Sequence, residues 1–119
     1  MNKKILIVDD QFGIRALLSE VFQDDGFETF EASNGNDALK LLGLEKPDMI
    51  LLDMKIPGMD GLEILRKIRA DQNEVNVIVM SAYGEVTRMN EAKSLGVLAY
   101  IAKPFDIDIV REKVRKLLV

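Results

Sequence analysis

The feature that most constrains the fold is an alternation of short apolar runs with amphipathic segments, repeated five times in 119 residues. Residues 5–8, 49–52 and 77–80 are continuous β-favouring runs, which are typical of strands covered on both faces. Residues 27–32 alternate between apolar and polar side chains, which predicts a strand nearer the edge of a sheet. Residues 99–102 predict a fifth strand.

The segments that follow the strands carry apolar residues at helical spacing. In the first segment these residues fall at positions i, i+3, i+4, i+7 and i+8: Ile14, Leu17, Leu18, Val21 and Phe22. Gly26 is placed to end this helix, and Asp106 is placed to cap the fifth. The fourth helix, about residues 86–95, has only a thin apolar stripe. Five strand–helix units predict an α/β fold, a doubly wound parallel sheet with right-handed crossovers and helices on both faces.

The composition argues against several classes of protein. No apolar run approaches the roughly 20 residues that a membrane span needs, and the short run at residues 5–8 does not have the form of a secretory signal. The chain has no cysteine and no histidine, so thiolate and imidazole chemistry are excluded. A net charge of −4 argues against a nucleic-acid partner. We therefore expect one cytoplasmic domain over residues 1–119, monomeric and without an output domain.

Polar side chains follow four of the five predicted strands at the point where each strand ends. They are the pair Asp9 and Asp10, then Asp53, Ser81 and Lys103. The carboxyl ends of parallel strands share one edge of a sheet, where ligands bind in such folds, so these residues should converge. Any one of them alone would be read as the first polar residue after a buried strand. All four positions together, in these chemical types, predict a functional site.

The chemistry of this set favours a phosphoryl group and a hard metal ion. Three neighbouring carboxylates repel one another and should raise at least one pKa unless a cation lies among them. Oxygen ligands without histidine indicate Mg²⁺ rather than zinc. Lys103 adds a positive charge and Ser81 a hydroxyl donor, which suits phosphoryl oxygens. One of the aspartates could itself be the nucleophile, as in enzymes that form an aspartyl phosphate.

These motifs, over the whole chain, resemble the signature of the response-regulator receiver domain. The resemblance implies a flavodoxin-like five-stranded sheet in the order 2-1-3-4-5, with Asp53 as the phosphoacceptor. It implies Mg²⁺ held at Asp9, Asp10 and Asp53 and by the backbone carbonyl of Lys55. Lys103 and Ser81 would bind phosphoryl oxygens, and the Lys103–Pro104 peptide would be cis. Ser81 would also act in switching with Tyr100, for which half-buried packing is the alternative.

Within that family, four segments resemble the single-domain receivers of the sporulation phosphorelay in endospore-forming bacilli. These segments are residues 9–15, 53–61, 82–85 and 102–108. The resemblance implies that a sensor histidine kinase donates the phosphoryl group and that a helical histidine phosphotransferase receives it. The chain would then carry an aspartyl phosphate between partners without being a conventional turnover enzyme.

The first helix has more apolar residues than one buried stripe needs, so some should face solvent beside the acidic site. With the resemblance, we expect a docking surface for a helical partner at these positions: Gln11, Gly13, Ile14, Leu17, Tyr83, Pro104 and Phe105. Ordinary core packing with scattered exposed apolar residues explains Ile14 and Leu17 equally well without it. Gly58 and Gly61 are interpreted chiefly as turn residues.

Two other functions compete with the relay. A stand-alone binding switch would be phosphorylated at Asp53 and then engage a target protein through its changed surface. A Mg²⁺-dependent phosphatase is a poor alternative, because Lys55 stands where a second acid would be needed, two residues after Asp53.

Overall fold

Strands and helices alternate along the chain as the sequence predicts. The computed structural model describes residues 2–82 and 86–118. Its strands are β1 Lys4–Val8, β2 Glu28–Ala32, β3 Met49–Asp53, β4 Asn76–Ala82 and β5 Ala99–Lys103. Its helices are α1 Phe12–Asp24, α2 Gly35–Glu45, α3 Gly61–Ala70, α4 Val86–Ser94 and α5 Ile107–Leu118.

The five strands form one parallel sheet in the order β2-β1-β3-β4-β5. This order confirms the flavodoxin-like arrangement and puts β2, the alternating strand, at an edge. The strand order reverses beside β1, so the carboxyl ends of β1 and β3 are neighbours. Asp53 pairs with Met80 of β4, and the next residue, Ser81, pairs with Ala102 of β5. The register therefore brings the predicted site residues to one edge of the sheet.

The sheet separates two apolar cores, which is why β1 and β3 need no polar face. Leu6 and Val8 pack with α2, α3 and α4, whereas Ile5 and Ile7 pack with α1 and α5. Every residue of β3 is buried, including the aspartate at its end. Strands covered by helices on both sides have to be apolar at every position, which is the continuous pattern in the sequence.

Local signals set the helix ends. Gly26 follows α1 with φ of 92°, and the N–H of Phe27 donates to the Phe22 carbonyl at 2.9 Å. The Asp106 carboxylate accepts from the backbone N–H of Asp108 at 2.9 Å, so Asp106 caps α5 as predicted. The fourth helix is present at Val86–Ser94. Among the described residues, no helix combines the length and apolar character required to cross a membrane.

Candidate functional site

Three carboxylates converge where β1 and β3 end. Asp9, Asp10 and Asp53 each place one carboxylate oxygen within 4.8 Å of the others. Asp9 and Asp53 are buried, with 0% and 5% exposure, whereas Asp10 is open to solvent. Two acids thus form the floor of the site, and the third lies at its mouth.

Lys103, at the end of β5, bridges the two buried acids. Its Nζ lies 2.6 Å from Asp9 Oδ2 and 3.1 Å from Asp53 Oδ2. Burial alone would lower the pKa of Lys103, but the hydrogen bond to Asp9 and the negative charge of Asp53 outweigh it and raise that pKa. The lysine is therefore a fixed cation. The peptide that follows it, Lys103–Pro104, is cis, as the family resemblance implied.

At the end of β3, the Asp53 carboxylate accepts hydrogen bonds from a backbone N–H and from an ammonium. The backbone N–H of Lys55 donates to Oδ1 at 3.1 Å, and Lys103 donates to Oδ2. Burial nevertheless raises the pKa of Asp53, opposed by the Lys55 hydrogen bond, increased by the charge of Asp9 and lowered by Lys103. The sequence predicted a raised carboxyl pKa from charge repulsion. Burial is the larger cause here.

Asp9 is held at both its side chain and its backbone. The N–H of Gln11 donates to Asp9 Oδ1 at 2.9 Å. Arg15, in the first turn of α1, donates from Nη1 to the Asp9 carbonyl oxygen at 2.7 Å. The sequence pattern does not predict this contact of Arg15. The only signal available was its position, six residues after Asp9, close enough to fold back on the turn that precedes α1.

Gly61, the first residue of α3, packs against the backbone where β3 ends. A Cβ at this position would lie 2.4 Å from the Asp53 carbonyl oxygen and 2.7 Å from Met54 Cα, so only glycine fits. Its N–H also donates to the Met54 carbonyl at 3.0 Å. The sequence pattern predicts a turn residue at Gly61, and the structure adds its close packing on the backbone of Asp53 and Met54.

Ser81 and Tyr100 lie on adjacent strands. Ser81 is 1% exposed and follows Met80, the partner of Asp53 in the sheet. Tyr100 is half-buried and packs on the apolar core that faces α2, α3 and α4. The predicted half-buried packing of Tyr100 is therefore present, and its switching role with Ser81 stays a prediction.

The predicted docking residues divide into exposed and half-buried ones. A groove of about 450 Å³ beside the acidic cluster is lined by Gln11, Ile14, Lys103, Pro104 and Phe105. Ile14 and Phe105 pack partly against the core on the α1 and α5 side of the sheet, so they belong to both core and groove. Leu17 is 45% exposed and Gly13 is also exposed. Tyr83 lies outside the described residues.

The donor set fits a hard divalent cation. Three carboxylates and one ammonium leave a formal charge of −2 if all are ionised (three negative, one positive). Every side-chain donor that the acids offer is an oxygen, and the chain has no histidine or cysteine. Carboxylate oxygens around an uncompensated negative charge are the surroundings that Mg²⁺ prefers in proteins.

Comparison with known proteins identifies the class of the chain. The sequence model for the response regulator receiver domain matches residues 5–115. The chain therefore belongs to the response regulator receiver family. A structure of a CheY-like receiver domain from Methanospirillum hungatei JF-1 superposes with a TM-score of 0.93 at 28% identity, covering 99% of this chain and 94% of that one.

Within the family, several relatives have nearly the same length as this chain, among them the two that follow. Sporulation initiation phosphotransferase F of Bacillus subtilis is 56% identical over 118 residues, which covers 99% of this chain and 95% of the relative. Chemotaxis protein CheY of Listeria monocytogenes is 40% identical over 114 residues, which covers 95% of this chain and 96% of the relative. The likeness to the first supports a place in phosphorelay signalling.

Proposed function

We propose that this chain is a phosphorelay intermediate in sporulation initiation. It accepts a phosphoryl group on Asp53 from the phosphohistidine of a sensor histidine kinase and passes it to a histidine phosphotransferase. The observation that carries the proposal is the arrangement of Asp53: a buried carboxylate at a strand end, paired with Lys103 and within reach of Asp9 and Asp10. The 56% identity to sporulation initiation phosphotransferase F of Bacillus subtilis supports the sporulation context.

In the transfer, a carboxylate oxygen of Asp53 attacks phosphorus while the bond from phosphorus to the donor's imidazole nitrogen breaks. The imidazole leaves with the electron pair of that bond, and the product is an aspartyl phosphate. Lys103, already at the Asp53 carboxylate, pairs with a phosphoryl oxygen, and Ser81 donates its hydroxyl to another. Onward transfer to a partner histidine is the reverse of this step.

We propose that Asp9, Asp10, Asp53 and the backbone carbonyl of Lys55 hold Mg²⁺ beside the acceptor. When bound, the metal ion balances the negative charge of the acids and of the incoming phosphoryl oxygens. The chain's own contribution is to fix the acids before the ion arrives. Lys103 and the Gln11 N–H hold Asp9, and the Lys55 N–H holds Asp53.

The docking surface consists of Gln11, Gly13, Ile14, Leu17, Tyr83, Pro104 and Phe105. Its occupant is a helix of the histidine phosphotransferase or of the kinase, since Lys103 lines both the groove and the acidic cluster. A histidine on a helix in this groove would therefore lie next to Asp53. The apolar surface of Ile14, Leu17 and Phe105 would hold the helix.

The proposal is tested by mixing the chain with Mg²⁺, a histidine phosphotransferase and a sensor kinase domain whose phosphohistidine carries a radioactive label. Label should pass rapidly to the chain and onward, and it should be base-labile on the chain. Asp53→Asn should take up no label, because an amide is not a nucleophile. Asp71→Asn, an exposed acid after α3, serves as the matched control and should be labelled at the wild-type rate. Normal base-labile labelling of Asp53→Asn would refute the assignment.

The alternative is a binding switch, and the likeness to a chemotaxis protein of nearly equal length favours keeping it. The same mixture separates the two functions. Reversible transfer to the histidine phosphotransferase supports the relay. A phosphorylated chain that gives no label to any phosphotransferase but binds a target protein supports the switch. In that case Tyr100 and Ser81 would be the first residues to test for a change of conformation.

A further inference from the structure

Arg15 lies against the turn between β1 and α1 and is held from three directions. Its Nη1 donates to the Asp9 carbonyl oxygen at 2.7 Å, and its Nε lies 3.4 Å from Glu31 Oε1. The guanidinium carbon is 5.7 Å from the centre of the Phe12 ring. Only 14% of the Arg15 side chain is exposed. A guanidinium with a carbonyl, a carboxylate and a ring around it has little freedom to move.

The carbonyl that Arg15 binds belongs to the peptide between Asp9 and Asp10. The Asp9 side chain is fixed separately, by Lys103 and by the N–H of Gln11. The Asp10 carboxylate has no hydrogen-bond or ion-pair partner within the part of the chain that the structure describes. Its direction therefore depends on the backbone from which it leaves. Arg15 fixes the plane of that backbone.

We propose that Arg15 is a positioning residue that orients Asp10 for magnesium. The inference rests on the proposed function, in which Asp10 is a metal ligand. Groups that hold a ligand in place from outside the first coordination shell commonly affect metal affinity about 10–100-fold when they are lost. Arg15 would act through a main-chain carbonyl rather than through the ligand's own side chain.

Electrostatics alone and orientation of Asp10 predict opposite changes in Mg²⁺ affinity when Arg15 is removed. Arg15 is a cation beside a cation site, so removing its charge should strengthen Mg²⁺ binding if the residue acted only through electrostatics. If Arg15 orients Asp10, its removal should weaken Mg²⁺ binding although the site becomes more negative. The sign of the change therefore separates the two roles.

The variant Arg15→Met tests this, because it keeps a long apolar stem over the Phe12 ring and removes every donor. We expect Mg²⁺ affinity, measured by calorimetric titration, to fall about tenfold. Phosphoryl uptake from acetyl phosphate should be slow at low Mg²⁺ and return to the wild-type rate at saturating Mg²⁺. In Mg²⁺-free protein the NMR amide signal of Asp10 should move. Arg115→Met removes the same charge from the exposed last turn of α5 and should change none of these.

An Arg15→Met protein that binds Mg²⁺ as tightly as the wild type, or more tightly, would overturn the proposal. If that variant does not fold, Arg15→Lys replaces it: the charge is unchanged, but the lysine Nζ is one bond closer to Cβ than the arginine Nη1 that reaches the Asp9 carbonyl, and it has no second nitrogen in the place of Nε beside Glu31. Unchanged Mg²⁺ affinity in Arg15→Lys would then be the refuting result. Failure of the proposed function looks different: wild-type protein itself would bind no Mg²⁺ and take up no phosphoryl group.

Discussion

At the scale of single residues, the three acids of the site differ in what surrounds them. Asp9 and Asp53 are buried and share the Lys103 ammonium, whereas Asp10 faces solvent without such a partner in the described part of the chain. Lys103 thus balances one of the two buried negative charges before any cation binds. Asp10 supplies one of the two formal negative charges that remain and shares no ammonium in that part of the chain, which makes it the acid whose loss should affect metal binding most directly.

Asp10→Ala should weaken Mg²⁺ binding more than about tenfold. Loss of an outer-shell partner costs roughly tenfold, and loss of a direct ligand should cost more. The Mg²⁺-free protein should be slightly more stable, because one of three repelling carboxylates has gone. Titration calorimetry and chemical denaturation without Mg²⁺ measure the two effects. Asp24→Ala removes the same charge from the other end of α1 and should leave Mg²⁺ affinity unchanged. Equal affinities in wild type and Asp10→Ala would exclude Asp10 as a ligand.

A second prediction at this scale concerns two glycines that look alike in the sequence. Gly61→Ala should lower the free energy of unfolding by about 1–3 kcal/mol, because the new methyl group meets the backbone of Asp53 and Met54. It should also slow phosphoryl uptake from acetyl phosphate. Gly43→Ala, inside α2 with no atom within 4 Å of the added Cβ, should instead gain about 0.5–1 kcal/mol. Denaturant titration of both variants tests the contrast, and a stable, fully active Gly61→Ala would contradict it.

The sequence predicts which residue types form the site, but it predicts only part of the contacts between them. Residue types and strand ends in the sequence locate Asp9, Asp10, Asp53, Ser81 and Lys103, because parallel strands share an edge. The bond from Arg15 to the Asp9 carbonyl and the contact of Gly61 with Asp53 depend on how the chain returns to the sheet. The spacing of apolar residues does not predict such contacts.

At the scale of elements, the sequence predicts each strand within one or two residues of its ends. The strand predicted at residues 49–52 is observed at Met49–Asp53, and the one at 77–80 extends to Asn76–Ala82. The additional residues are mostly polar or small, and they still join the backbone hydrogen bonding of the sheet. Apolar patterns identify the buried part of a strand, whereas pairing with neighbouring strands determines where it ends.

The two helices on one face of the sheet are tied by an ion pair that the sequence did not predict. Arg111 of α5 donates from Nε and Nη2 to the Asp25 carboxylate, which follows α1, at 3.0 and 2.6 Å. The hydrogen bond from Arg111 lowers the pKa of Asp25, against the effect of burial, with further lowering by the charges of Arg111 and Arg115. The link joins α1, which carries part of the proposed docking surface, to α5, the helix that follows Pro104 and Phe105.

A depressed pKa in the folded protein gives this link a definite pH dependence. Asp25 should contribute stability above its unfolded pKa of about 3.9, and this contribution should be lost as pH falls through the lower folded pKa. The variants Asp25→Asn, Arg111→Gln and their combination form a double-mutant cycle by denaturant unfolding. The coupling free energy should be favourable at about pH 7 and decline toward about pH 3. A coupling that is absent at neutral pH, or that grows on acidification, would contradict the assignment.

At the scale of the whole molecule, the fold places the acidic cluster next to the groove formed by α1 and the segment after β5. Under the proposed function, small phosphodonors would need only the acidic cluster with Lys103 and Mg²⁺. A protein donor would also cover the groove beside that cluster and the exposed part of α1. The doubly wound sheet places the cluster and the groove side by side, because α1 begins directly after the acidic pair that follows β1 and because β5 ends at Lys103, immediately before Pro104 and Phe105 of the groove.

The last prediction separates docking from packing across this surface. Leu17→Ala should slow transfer with a helical histidine phosphotransferase several-fold, since truncating a contact that matters for binding typically costs about 1 kcal/mol or more. Uptake from acetyl phosphate and the thermal melt should not change, because Leu17 is 45% exposed. Ile14→Ala should slow the same transfer and also lower the melting temperature, because Ile14 packs partly on the core. Its stability loss should stay below the roughly 2–5 kcal/mol of a fully buried isoleucine.

Leu44→Ala is the matched control for the leucine variant. Leu44 is 72% exposed on α2, across the sheet from α1, so its truncation should affect neither transfer nor melting. Parallel assays with acetyl phosphate and with the phosphotransferase then distinguish the cases. Loss with the protein partner alone, at an unchanged melt, assigns Leu17 to the docking surface. Two results would contradict the docking assignment of Leu17. One is an equal loss of transfer rate in Leu17→Ala with acetyl phosphate and with the phosphotransferase. The other is a Leu44→Ala variant whose transfer with the phosphotransferase is slowed as much as that of Leu17→Ala.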